Sequence, residues 1–478
     1  MNRNIVASLV GIAIVAGGCT LAPEYSRPQA PIPADWPAGE AYPQTQPTTR
    51  PSDAPQLTRQ EFFSDKKLYD VIEMALQNNR DVRLAALNVE KARAMYNFQR
   101  GDWLPLLDAA GSGSRQRVPP DLSGAGHAMT YNQYGTSLGL SSWEIDFFGR
   151  IRSLVDQALE QYLATEQAQR STHLLLVSGV ANAYLALAAD RETLALAKDT
   201  LESQQAAHDL VQRRLDRGFV PELDLYRAQT QVDIARGDVA RFTQLVAQDK
   251  NALDLLVGSS VPDGLLPARL GSVSPLRDVS PGVSSEVLLG RPDILQAEAV
   301  LKAANANIGA ARAAFFPRIS LTTSIGTGSD DLSGLFKPSS RAWSFAPQIV
   351  VPIFDSRIWS ALTISEVEKK TAIAQYEKAI QNAFREVADA LAVQGTVDQQ
   401  IAAQESLIHA AAETYRLSNA RYLKGVDGYL SVLDSQQSLY AAQQGLVVIR
   451  LGKLANQVRL YAVLGGGWQP EPTVHASR

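Results

Sequence analysis

Cysteine is almost absent from this chain of 478 residues, in which the only one is Cys19. A single cysteine excludes a disulfide framework and any metal site built from several cysteines. The five histidines are scattered and form no HExxH or similar pair, so we expect no metal site and no metal cofactor. The formal net charge is only −4. A balance this close to neutral gives no reason to expect nucleic acid as a partner.

Proline and glycine are scarce in two long stretches, residues 150–217 and 357–424. Neither stretch contains proline, and each has one interior glycine, Gly179 and Gly395. Because proline and glycine are the residues that most disfavour a helix, each stretch predicts one uninterrupted helix of 68 residues. At about 1.5 Å per residue, such a helix is about 100 Å long. Helices of that length indicate a protein that spans a distance.

Long hydrophobic runs are also missing, apart from a short one at the N-terminus. Residues 1–18, with Arg3 followed by an apolar run, predict a signal peptide. The small residues before Cys19 resemble a bacterial lipoprotein signal, in which the cysteine after the cleavage site is acylated. The alternative is a plain secretory signal beside an incidental cysteine. No later segment has about 18 consecutive apolar residues, so we expect no membrane-spanning helix, and a membrane role would need lipid or β-strands.

Two segments, 106–148 and 318–354, change from helical spacing to strict alternation and predict β-hairpins. In Tyr134–Ser141, large or apolar side chains alternate with glycine and serine, and the same pattern is clearer over 319–328 and 343–353. This alternation is typical of a strand with one apolar and one polar side. A soluble four-stranded sheet with one buried face is the alternative to a membrane sheet.

The chain repeats itself. Asp81 and Pro105 recur 212 residues later, and Arg150, Arg214, Gly218, Gln229 and Gly258 recur 207 residues later. Each half therefore reads as helix, β-hairpin, long helix, turn and helix. The predicted boundaries are 1–18 for the signal peptide, 19–63 for an extended lipidated linker, 64–258 for the first repeat, 259–284 for a linker, 285–465 for the second repeat and 466–478 for the tail. The helices after the turns are predicted at 222–257 and 427–464.

Four strands cannot close a barrel, and an open sheet edge in lipid would leave backbone groups unpaired. Oligomerisation removes the edges, since three chains would supply twelve strands. Their polar sides, rich in glycine and serine, would then line a wide lumen.

Six stretches resemble the outer-membrane efflux lipoproteins, the TolC-like or NodT family of channels. They are Cys19–Tyr25, Trp143–Arg150, Arg291–Ile294, Ala310–Pro317, Gly425–Leu430 and Leu464–Trp468. The resemblance implies a mainly α protein with a membrane β-barrel. It would be a homotrimer with a 12-stranded barrel on a 12-helix periplasmic tunnel, lipid-anchored in the bacterial outer membrane. It further implies a duct for multidrug efflux, working with a periplasmic adaptor and an inner-membrane RND pump.

The resemblance also implies a gate near the turns that follow the long helices. Leu430 matches a position that would form an apolar ring across the three-fold axis, and Asp434 one that would form a ring of carboxylates. Arg421 matches the family's tip arginine and could tether Asp434 or another acidic group. A further family arginine, three residues after the gate aspartate, is Gln437 here, which removes one charged restraint. The alternative for Asp434 is an ordinary solvated helix residue.

The two turns themselves expose glycine and apolar residues. Glycine after a helix permits positive φ, which is a sufficient structural reason for its presence. The resemblance adds a role in adaptor docking. The residues implied are Gly218, Phe219, Val220, Gly425, Val426 and Asp427.

Other functions fit the sequence less well or remain open. An enzyme is disfavoured because the sequence has no phosphate-binding loop, no GxSxG motif and no cluster of ligands. A structural periplasmic coiled-coil lipoprotein or an adaptor would not need two lipid-facing hairpins. Metal-ion efflux and type I secretion remain open for a duct, because the partner pump decides the substrate. The only cofactor-like group expected is the lipid on Cys19.

Overall fold

The computed structural model describes residues 20–42, 57–274, 276–277 and 284–466. Over these ranges the chain forms eight α-helices and four β-strands. The predicted signal peptide, Cys19 and nearly all of the predicted C-terminal tail lie outside the described residues. The elements are α1 (Arg59–Phe62), α2 (Lys66–Asn78), α3 (Arg80–Gly101), β1 (Leu107–Val118), β2 (Met129–Ile145), α4 (Arg150–Leu215), α5 (Glu222–Val257), α6 (Pro292–Ala313), β3 (Arg318–Ser329), β4 (Arg341–Val350), α7 (Ser356–Leu423) and α8 (Leu430–Val463).

Both predicted long helices are present as single elements. Helix α4 has 66 residues and α7 has 68. Helix α5 has the predicted bounds. Helix α8 begins at Leu430, three residues after the predicted start, because Asp427 bonds back to α7 and Tyr429 begins the new turn by accepting from the Val432 amide.

The break between α2 and α3 lies at Asn79. Its side-chain oxygen accepts from the amides of Asp81 at 2.7 Å and Val82 at 3.1 Å, which caps the N-terminus of α3. Its amide nitrogen donates to the Leu256 carbonyl at 2.8 Å and so ties the break to α5. One side chain therefore caps the start of α3 and ties the break to α5.

The four strands form one antiparallel sheet in the order β1-β2-β3-β4. Strands β1 and β4 are therefore the open edges of the sheet within one chain. A β-bulge interrupts the register between Leu140 and Trp143, where Ser142 has a φ of 50°. A bulge adds one residue to one strand, so it reverses which side of the sheet the later residues of β2 face.

Contacts divide the chain into two compact units that each draw on both repeats. The first contains residues 1–29, 88–166 and 296–376, which include all four strands. The second contains residues 30–87, 167–295 and 377–478, which include both turns after the long helices. The core of the second unit includes a fully buried aromatic group in which Phe62 stacks on Tyr461, with ring centroids 4.0 Å apart.

Within the described part of the chain, α4 is the one helix long and apolar enough to cross a membrane, with a mean hydropathy of 1.5 over its most apolar window. Half of that window is buried inside the protein. The core helix of a soluble protein passes the same test of length and composition, so this is weak evidence for a membrane span.

Candidate functional site

The sheet has one apolar side, which we call the apolar face, and this side is exposed. Residues paired across the strands lie on the same side of the sheet, and the row Ala109, Leu138, Ile325 and Trp343 is apolar throughout. Trp343 is 78% exposed and Ile325 67%. Because burial of apolar surface is strongly favourable in water, a face of this kind needs a cover. The predicted alternation of apolar and polar residues is confirmed.

The opposite side, the polar face, is built mainly from small residues. One row is Asp108, Gly139, Ser324 and Ser344, in which the two serine hydroxyls lie 2.8 Å apart. Next to the helices, Arg150 and Arg318 both pair with Glu144, at 2.7 Å and 3.3 Å. The sheet therefore has one apolar face and one polar face, as the sequence predicts.

The two turns after the long helices have the same backbone. Gly218 has a φ of 74° and Gly425 a φ of 72°. In each turn the glycine amide bonds three residues back and the next amide bonds five residues back, at 2.8 to 3.0 Å. This pair of bonds is the Schellman motif, and it requires a left-handed residue that glycine adopts without strain. The structural reason for both glycines is confirmed.

A small hydrophobic cluster lies beside these turns, and we call it the tip cluster. Tyr422 and Tyr429, on either side of the second turn, contact each other with ring centroids 5.1 Å apart. Burial, followed by the neighbouring Tyr422, raises the pKa of Tyr429 to about 12. Both rings are therefore neutral packing elements at physiological pH. The buried members of the cluster are Val211, Ala228, Tyr422, Tyr429, Val432 and Leu433.

Arg214 joins the tip cluster from the end of α4. Its guanidinium lies over the Tyr422 ring, 4.7 Å from the ring centre, which is a cation–π geometry. This contact connects the first turn with the second. The sequence repeat relates Arg214 to Arg421, but the role of Arg214 and of the two tyrosines was missed. Aromatic residues on both sides of the second turn were the available signal.

Arg421 makes an ion pair with Asp427 across the second turn. Its Nε and Nη2 atoms donate to the two carboxylate oxygens at 2.5 and 3.0 Å, a two-pronged geometry. This hydrogen bonding holds the pKa of Asp427 below its usual range. Both side chains are open to solvent. Of the two tethers considered for Arg421, the structure shows the one to another acidic group, and that group is Asp427.

Two of the predicted gate residues, Leu430 and Asp434, share one side of α8 with Gln437, the position of the missing family arginine. Leu430, Asp434 and Gln437 follow one another at helical spacing, and all three are exposed. Leu430 is 50% exposed despite its apolar side chain. The neighbouring Val432 and Leu433 are buried in the tip cluster. Asp434 therefore projects from a rigid support, while its role in a gate stays a prediction.

The predicted adaptor-contact residues differ in exposure. Phe219 is 71% exposed and Val426 60%, so each turn presents one large apolar side chain. Val220 instead packs against the tip cluster, and Asp427 is engaged by Arg421. Among the predicted contact residues, Phe219 and Val426 are therefore the ones that offer exposed apolar surface.

Comparison with known proteins gives a family and several relatives. A family described as outer membrane efflux protein matches residues 71–259 and 283–466. The chain is 46% identical to the antibiotic efflux pump outer membrane protein ArpC of Pseudomonas putida over 469 residues, covering 98% of this chain and 96% of that protein. It is also 46% identical to the solvent efflux pump outer membrane protein SrpC of Pseudomonas putida over 456 residues, covering 95% and 97%.

A solved structure is similar over nearly the whole chain. A membrane protein from Pseudomonas aeruginosa superimposes with a TM-score of 0.88 at 40% identity, covering 96% of this chain and 100% of that one. The likeness therefore includes both the sheet and the turns.

Proposed function

Because the chain belongs to the outer membrane efflux protein family, we propose that it is the outer-membrane exit duct of a tripartite RND-type efflux pump. The duct is passive and has no catalytic role. Transport is energised by the inner-membrane pump, and a periplasmic adaptor opens the duct at its tip. Its cargo is drugs and organic solvents, since its relatives bear the names of antibiotic and solvent efflux pumps.

The observation that carries this proposal is the exposed apolar face of the sheet. A four-stranded sheet with two open edges cannot remain in lipid, because each unpaired backbone group costs several kcal/mol there. Three copies would pair β4 of one chain with β1 of the next and close a barrel of twelve strands. The apolar face would then contact lipid, and the polar face would line the lumen.

The tip supports a gate and a docking surface. In a trimer, three copies of Asp434 would surround the axis, with three copies of Leu430 one helical turn away. Phe219 and Val426 offer exposed apolar surface for the helical hairpins of an adaptor. Adaptor contact there would disturb the tip cluster and move α8, which bears the gate residues.

Acylation of Cys19 would anchor the chain in the outer membrane. Residues 21–27, directly after this cysteine, run along α6. Asn305 donates to the Pro23 carbonyl at 2.7 Å, and Arg27 pairs with Glu298 at 2.6 Å. Glu298 is 3% exposed, so this attachment is firm. The segment that follows the predicted acylation site is therefore fixed along α6.

The test is single-channel conductance of the purified protein in a planar bilayer. We expect rare, small openings from the wild type and larger or more frequent openings from Asp434→Ala. The matched control is Asp233→Ala, which removes an exposed carboxylate from α5, and it should behave as the wild type. Unchanged conductance in Asp434→Ala would exclude Asp434 from the gate. If folded, membrane-extracted protein shows no conductance, the proposal that the protein is a duct is wrong.

A further inference from the structure

Three arginines stand out on the apolar face of the sheet. The strands contain six charged residues, of which Asp108, Glu144 and Arg318 lie on the polar face. The other three are Arg115, Arg117 and Arg341, which we call the basic rim. All three have the parity of the apolar residues in their strands. The apolar face therefore has charge of one sign only.

The basic rim lies at one end of the sheet. Arg341 pairs with Thr327, one row beyond the row of Ile325 and Trp343. Arg115 and Arg117, opposite Asn132 and Thr130, are further along β1 towards the loop that joins β1 to β2. We call this the loop end, and it is opposite the end at which the helices join. At the helix end, the apolar face has the uncharged row Ile145, Ile319 and Ile349.

The basic rim has no partner within the described part of the chain. None of its three guanidinium groups has a hydrogen bond, ion pair or ring contact there, and all three residues are exposed. The arginines at the helix end differ, because Arg150 and Arg318 share Glu144. Arginines on a side of the sheet that has no acidic residue in its strands require an anionic partner from elsewhere or water.

The position of the basic rim along the strands indicates the depth at which it would lie in a membrane. Arginine on the lipid side of a barrel is destabilising at the bilayer midplane and almost neutral near the interface. The apolar rows must therefore lie in the hydrocarbon, with the rim at the level of the headgroups. Tyr134, on the apolar face between the rows of Arg341 and Arg115, occupies the place of an interfacial aromatic residue.

We propose that the basic rim binds phosphate groups of a phosphorylated glycolipid in the outer leaflet. The proposal rests on the proposed function, which places the sheet in the outer membrane. Guanidinium groups bind phosphate with two parallel hydrogen bonds, so arginine suits this ligand. A lipid is favoured over a protein partner because the rim continues directly from the surface that contacts lipid. Since β1 and β4 are the edge strands, closing the barrel brings the arginines of neighbouring copies to one seam.

The experiment compares lipid binding by wild-type protein and two variants. In the first variant, Arg115, Arg117 and Arg341 are all replaced by glutamine. The second is a matched control that adds Gln116→Arg, which returns one positive charge at the same height but on the polar face. Native mass spectrometry would measure binding of lipid A with two phosphates and of fully dephosphorylated lipid A, and inorganic phosphate would be tested as a competitor.

We expect the wild type to prefer the phosphorylated lipid by about a hundredfold, since each basic residue near an anionic lipid surface contributes about fivefold. Both variants should lose most of this preference. Equal preference in wild type and the first variant would overturn the proposal. So would recovery of the preference by Gln116→Arg, or displacement of the lipid by inorganic phosphate at equal concentration.

Conductance measured on the same samples separates the two proposals. Channels that conduct but show no preference for phosphorylated lipid would refute only the lipid site. Protein that neither inserts nor conducts would refute the duct itself.

Discussion

The two turns after α4 and α7 share a backbone but are held by different side chains. At the first turn, the side chain of Arg214 lies over the ring of Tyr422, beside the second turn. In the second, the equivalent Arg421 stays within the turn and pairs with Asp427. The repeat has therefore preserved the helix ends and changed the contacts that stabilise them.

This difference separates two kinds of stabilisation. The contact of Arg214 belongs to a buried cluster, where removal of packed atoms is costly and salt has little influence. The pair of Arg421 with Asp427 is open to water, where salt screens it and its contribution to stability is small. The tip cluster therefore contributes to the stability of the fold, whereas the exposed pair contributes little to it.

The largest effect is expected from Tyr429→Ala, which removes a buried ring from the tip cluster. Tyr429 is 3% exposed, and truncation of a buried aromatic residue costs about 3–5 kcal/mol. Chemical denaturation of the detergent-solubilised protein would measure the free energy of unfolding. The control is Tyr429→Phe, which keeps the ring and removes a buried hydroxyl that has no hydrogen-bond partner among the described residues. A loss in Tyr429→Phe as large as that in Tyr429→Ala would contradict the packing argument.

A smaller loss of stability, similar in the two variants, is expected from Gly218→Ala and Gly425→Ala. Both glycines have positive φ, where a non-glycine residue costs about 1–2 kcal/mol, and an added Cβ would meet nothing within 4 Å at either position. The two variants should therefore lose similar free energies of unfolding. A clear difference between them would show that the turns are not equivalent in backbone energetics.

The smallest effect on stability is expected from Asp427→Asn, which removes the exposed pair. Its unfolding transition should match that of the wild type, whereas channel openings should become more frequent at low salt. Because the pKa of Asp427 is lowered in the fold, its stabilising contribution is present above the ordinary pKa of about 3.9 and is lost as pH falls through the lowered value. Acid should thus increase opening of the wild type more than it increases opening of Asp427→Asn. Conductance recorded across salt concentration and pH would test both statements.

Much of the fold could be predicted because its signals are local. The absence of proline from residues 150–217 and 357–424 predicts α4 and α7, and alternation predicts the strands. The β-bulge could not be predicted in this way. Ser141 and Ser142 continue a pattern of small residues, and only pairing with β3 reveals the extra residue that returns Trp143 and Ile145 to the apolar face.

The contacts around the second turn could not be predicted from local sequence patterns either. Arg421, Asp427 and Tyr429 can all be found in the sequence, but the sequence does not decide between Asp434 and another acidic group as the partner of Arg421. The tether to Asp427 depends on the turn at Gly425, which brings residues six apart into contact. The position of Arg214 over Tyr422 depends on packing between segments about 200 residues apart, which no local pattern specifies.

The sequence by itself determined the helices, the strands, their apolar and polar sides and the left-handed turns, because each depends on the conformational preferences of neighbouring residues. The tertiary structure alone decided the register of β2 with β3, the partners of Arg214 and Arg421 and the absence of a partner for the basic rim among the described residues. Those outcomes depend on which distant surfaces meet, and the energies that select among them arise only when the chain is folded.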